Sequence, residues 1–127
     1  MRRVVIFSVL SVLLVACAGG GGIDVTAPDS APSDKPLVIE ARRFVTGFGA
    51  NVRGEEMTIF YRLPGMKEFE ALRAEKETSK DEKHKVYEFV IHPNRAKGEL
   101  EFFFELKSAR GNLQRAPESE TKKIQLV

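Results

Sequence analysis

The stretch GELEFFFELK (98–107) places Leu100, Phe102, Phe104 and Leu106 at every second position, with Glu101, Phe103, Glu105 and Lys107 between them. Successive side chains of a strand point to opposite faces, so this period of two sends the first set to a core and the second to solvent. The same alternation recurs on either side of it. Tyr87, Phe89 and Ile91 alternate in HKVYEFVI (84–91), Leu37, Ile39 and Ala41 in PLVIEARRFVT (36–46), and Ile124 and Leu126 in TKKIQLV (121–127).

Three further stretches, GIDVTA (22–27), EMTIFYRL (56–63) and EFEALRA (68–74), bring the expected strands to seven. Breaks rich in Gly, Pro, Asn, Ser or charge separate them, among them PDSAPSDK, GFGANVRG and SARGNLQRAPES. Strands of this length and spacing predict an all-β domain, a β-sandwich, over residues 23–127. The segment EFEALRAEKETSKDEKHK (68–85) is rich in good helix formers and leaves a short helix as an alternative there.

Three marks resemble bacterial immunoglobulin-like and fibronectin type III-like extracytoplasmic domains. IFYRLPG (59–65) resembles a strand ending in a Tyr-Arg pair before a turn, YEFVIHP (87–93) a strand running into proline, and LEFFFELKSARGN (100–112) an alternating strand followed by a Gly-Asn turn. The resemblance spans roughly residues 36–127 and implies a seven-stranded immunoglobulin-like sandwich. One departure is Ser108, where such domains often carry Asp or Asn, which weakens the expectation of a side-chain cap at that turn. The fold implies no activity, since such sandwiches serve as spacers, adhesins, carbohydrate-binding modules and assembly parts.

Ahead of the domain, MRRVVIFSVLSVLLVAC (1–17) opens with two arginines and an apolar run from Val4 to Val15, which reads as a signal peptide. Twelve helical residues rise only about 18 Å, short of a hydrocarbon core of roughly 30 Å. Leu14, Val15, Ala16 and Cys17 resemble the lipobox of bacterial lipoproteins. That resemblance implies cleavage between Ala16 and Cys17, which removes residues 1–16, and a diacylglycerol thioether on the Cys17 sulfur. Cys17 is the chain's single cysteine, so no disulfide competes for it. Several acyl chains hold a protein on a membrane where one would not. Residues 17–22 are then the lipidated cysteine and a glycine spacer, flexible because glycine accepts nearly all backbone conformations. Ala18 in place of Asp implies the outer membrane, by resemblance to enteric-type sorting.

The 20 basic residues exceed the 18 acidic ones only until the leader is cut, since loss of Arg2 and Arg3 leaves 18 of each. A neutral chain with no basic stripe is not built to capture nucleic acid. His84 and His92, the two histidines, would lie about 26 Å apart on one straight strand, too far to share a metal. Glu101 and Glu105 read as the hydrated side of a strand rather than an acid/base pair. No nucleophile motif accompanies them, and the glycines of GFGAN (47–51) lack the Lys-Ser/Thr pair of a phosphate loop. No enzyme activity, metal or cofactor is expected.

Phe103 shares the outward parity of Glu101 and Glu105, and Phe60 and Val90 hold the corresponding parity on their strands. Together they form a candidate docking patch for an envelope protein or a sugar ring. The expected function is a structural or protein-interaction module of the envelope. A carbohydrate- or peptidoglycan-binding module is the alternative, weakened by the absence of Trp and by having two Tyr.

Overall fold

The computed structural model describes residues 12–15 and 21–127. The strands are β1 (Val12–Val15), β2 (Gly22–Thr26), β3 (Ser30–Ala31), β4 (Leu37–Phe44), β5 (Glu56–Arg62), β6 (Glu70–Arg73), β7 (Lys76–Asp81), β8 (His84–Ile91), β9 (Gly98–Lys107), β10 (Leu113–Ala116) and β11 (Lys122–Leu126). One sheet has the order β1-β2-β4-β8-β7 and the other β3-β11-β9-β5-β6, with β10 also paired to β9. Strands β2, β4, β8 and β7 take the A, B, E and D places of an immunoglobulin-like sandwich, and β11, β9 and β5 take G, F and C. The domain is an all-β, immunoglobulin-like sandwich.

All seven expected strands are present, and the strand count exceeds seven for four local reasons. The first strand of the domain switches sheets: β2 pairs antiparallel with β4, and β3 then pairs parallel with β11. The last is broken in two, with β10 facing Phe104–Lys107 and β11 facing Gly98–Phe102, so residues 117–121 bulge opposite Phe103. Segment 68–85, with a helix as its alternative in sequence, forms two strands in different sheets, β6 on β5 and β7 on β8. Val12–Val15, in the expected leader, run antiparallel along β2.

The alternation of β9 is realised in full, with Leu100, Phe102, Phe104 and Leu106 at most 2% exposed. Phe104 meets Phe89 of the other sheet with ring centroids 5.4 Å apart, and Phe102 meets Phe104 edge-on at 5.7 Å. Ile39, Ile59, Tyr87 and Ile124 fill the space around these rings. Interdigitated, nearly dry rings of this kind supply most of the stabilisation of a two-sheet core.

The strand registers define the two ends of the sandwich. At one end lie Gly22, Phe44, His84, Glu56 and Lys107, and at the other Thr26, Leu37, Ile91, Arg62, Gly98 and Leu126. β2 begins at the first, so the chain following Cys17 enters the sandwich there. Gly21 and Gly22 are buried, and a Cβ on Gly21, whose φ is +106°, would lie 2.4 Å from the Phe44 carbonyl oxygen. The last two glycines of the run thus pack against the sandwich.

Candidate interaction surface

On the outward face of the β9 sheet, Phe60 and Phe103 are directly paired across β5 and β9. Their rings stack at 5.0 Å with planes 9° apart, and Phe69 meets Phe103 edge-on at 5.2 Å. Offset and edge-on pairs are the arrangements the ring quadrupole favours. Two guanidiniums close over them. Arg115 of β10 lies 4.0 Å from the Phe103 centroid, and Arg62 of β5 lies 4.6 Å from that of Phe69. Arg62 also donates to Glu101 at 2.7 Å and to the Lys67 carbonyl at 3.2 Å. Arg115 donates from Nη2 to the Glu120 carbonyl at 3.1 Å, while its buried Nε has no hydrogen-bond partner.

Phe60 and Arg115 reach Phe103 from strands on opposite sides of β9. The Phe103 ring is thus flanked on both sides, which leaves little of its face open for a sugar to stack on. What this surface offers outward is an aromatic cluster rimmed with charge, the composition favoured at protein interfaces.

The expected patch is only partly assembled. Phe60 and Phe103 come together, whereas Val90 lies on the outward face of the other sheet, paired with Val38. Phe89 and Ile91 are buried, so Val90 does point outward, but β8 and β9 belong to different sheets and equal parity there means opposite faces of the molecule. Phe69 and Arg115 carry no signal in the sequence pattern. Phe69 falls within the expected strand 68–74 but just before β6, and Arg115 sits in a four-residue strand. Cys17 and Ala16 lie outside the described residues.

The chain-entry end holds charged groups to which the sequence pattern assigns no role. Arg43 and Glu55 form a bidentate pair, Nε to Oε1 at 2.9 Å and Nη2 to Oε2 at 3.1 Å, with side chains 8% and 9% exposed. Arg43 Nη1 also donates to the Gly22 and Phe44 carbonyls, both at 3.3 Å. Arg43 has the inward parity of Ile39 and Ala41, so the pair closes the bottom of the core under Tyr87, whose hydroxyl reaches the Glu55 carbonyl at 3.4 Å. Burial, reinforced by the Glu55 charge, drives the Tyr87 hydroxyl well above its ordinary pKa. A pair so enclosed is engaged structurally and has no open position for a substrate.

His84 and His92 do not meet. His84 begins β8 with its Nδ1 2.9 Å from Asp81 Oδ1, and that contact holds the Asp81 carboxyl below its usual range. His92 is exposed just past the other end of the same strand. Among the described residues no group of three or more His, Cys, Asp or Glu is placed to hold a metal ion. The Ser108 turn is capped after all: its hydroxyl accepts from the Arg110 amide at 3.3 Å and the Asn112 amide at 3.1 Å.

No protein-family model matches the chain, and no curated protein matches it. Among solved structures, it is similar to AggA, the major subunit of aggregative adherence fimbriae type I from Escherichia coli. The TM-score is 0.38 and the identity 12%, over 84% of this chain and 93% of that one. The strand order given above carries the fold assignment.

Proposed function

We propose that the chain is a membrane-anchored lipoprotein of the bacterial cell envelope, in the outer membrane, whose sandwich is a non-enzymatic structural or protein-interaction module. The observation that carries this reading is the join between lipobox and domain. Four residues after Cys17 the chain is already buried against Phe44, and cleavage before Cys17 would remove β1, the strand that Val12–Val15 form along the β2 edge. The engaged charges support the second half of the reading: Arg43 with Glu55 and Arg62 with Glu101 are paired structurally. A glycan-binding module gains no support from an aromatic cluster whose central ring is flanked on both sides.

Mass spectrometry of the mature N-terminus tests the anchor. A diacylglyceryl Cys17 is the expected outcome, with the wild type in the detergent fraction and Cys17→Ser released from membranes. An unmodified Cys17 in a soluble wild-type protein would refute it.

A further inference from the structure

Phe48 is more exposed than in an extended chain, at 110% of the reference, and it stands on a loop held in shape by hydrogen bonds. The Lys83 ammonium donates to the Gly47 carbonyl at 2.9 Å and the Ala50 carbonyl at 3.0 Å, bridging the residues on either side of it. The Val45 amide donates to the Lys83 carbonyl at 3.0 Å and the Val52 amide to the Glu82 carbonyl at 2.8 Å, which sews both arms of the loop to the β7–β8 turn. A phenyl ring on such a loop cannot readily fold back to escape water, and leaving it there costs free energy unless something else covers it.

The position of the loop indicates what that is. It leaves β4 at Phe44, the residue paired with Gly22, so Phe48 stands at the end where the chain enters the sandwich. Four residue steps separate Gly21 from Cys17, a reach of at most about 14 Å. Lipid chains on Cys17 would therefore bring a bilayer surface to this end of the domain and away from the other, where the last strand finishes at Leu126. The neighbouring 108–112 turn packs against Gly54 and leads into Leu113, a second apolar side chain in water at 62% exposure. Lys83, Arg53, Lys107 and Arg110 belong to the same end. Of the acids there, Glu55 is paired with Arg43 and Glu56 lies 3.8 Å from Arg73, which leaves Glu82 and Asp81 against these four cations. An apolar tip in a basic surround matches the interfacial layer of a membrane with anionic headgroups.

We propose that the chain-entry end is a membrane-contact surface, with Phe48 seated in the headgroup layer of the bilayer that carries the Cys17 anchor. This deepens the lipoprotein reading and rests on it. The consequence is orientation: the sandwich stands on this end, and the Phe60–Phe69–Phe103 cluster is presented sideways, clear of the lipid.

The chain contains no tryptophan, so Phe48→Trp makes a single fluorescent reporter. The protein from Cys17 onward is coupled through its thiol to a maleimide lipid in vesicles of phosphatidylglycerol and phosphatidylethanolamine, which supplies the anchor whether or not the cell does. Indole emission from the Phe48→Trp variant is expected to shift to the blue and to be quenched by lipids brominated near the headgroup. Val38→Trp, on a sheet face near the far end, is expected to keep water-like emission. An unshifted, unquenched indole in the coupled Phe48→Trp vesicles would overturn the proposal while leaving natural acylation, read by mass spectrometry, a separate result. A shift seen in native envelopes but never in protein-free vesicles would also overturn it, assigning Phe48 to a protein partner.

Discussion

Three consecutive residues, Phe102, Phe103 and Phe104, build two aromatic clusters of opposite character. The inner one, Phe102 and Phe104 with Phe89, is fully buried and packed ring against ring between the sheets. In the outer one, Phe103 stacks on Phe60 and meets Phe69 edge-on, with two arginines laid over the rings. Both clusters contain an edge-on ring pair, but only the inner one is sealed from water on all sides. Ring packing alone thus does not distinguish core from surface. What differs is the cover: apolar side chains from a second sheet on one side, and part-exposed guanidiniums on the other.

The sharpest way to break this contrast is at the floor of the inner cluster. Arg43→Leu leaves the Glu55 carboxylate enclosed with no cation and is expected to cost about 3 kcal/mol or more by urea unfolding. The double variant Arg43→Leu, Glu55→Leu is expected to recover much of that, because the penalty comes from the stranded charge rather than from a lost attraction. On the outer cluster, Arg115→Ala removes a cation over Phe103 and is expected to cost only about 0.5–1 kcal/mol while leaving more of the ring wet. Urea midpoints for the three variants measured side by side give the comparison.

A smaller effect concerns alkaline pH. Tyr87 holds its proton more tightly in the fold than its ordinary value of 10.0, because burial disfavours the phenolate. Both states are protonated below about pH 10, so stability is undiminished there. Above it the unfolded chain releases a proton that the folded one keeps, and stability falls. Tyr61 is raised too, by burial first and then by its hydrogen bond to Glu70, and adds to the trend in the same direction. Tyr87→Phe is expected to flatten, without abolishing, the loss of melting temperature above pH 10.

Much of this architecture can be read from residues whose two faces differ. Strands β4, β8, β9 and β11 announce themselves because a buried apolar residue alternates with a polar or exposed one. Strand β7 does not, since all six of its residues are exposed and polar, and its backbone pairing with β8 holds it in place. Its polar, lysine-bearing character suits an edge, where apolar residues would invite another chain to pair. β3 and β10 are too short to show a period, and the break at 117–121 depends on how the chain rejoins β9. Half of the outer cluster is legible for the same reason as the core. Its remaining members, and the exclusion of Val90, depend on which sheet each strand joins, a long-range fact that alternation does not encode. In sequence Glu55 is one carboxylate among many, because its burial depends on Arg43, twelve positions away.

The two clusters meet in adjacent residues, and paired unfolding curves of Phe103→Ala and Phe104→Ala put the contrast to its most direct test. Phe104→Ala is expected to lose about 3–5 kcal/mol, as for a fully buried ring leaving a cavity. Phe103→Ala is expected to lose about 1 kcal/mol, the scale of its ring pairings. The reverse order, with Phe103→Ala unfolding the domain and Phe104→Ala leaving it nearly intact, would mean that β9 is shifted by one residue and that its inner and outer faces are exchanged.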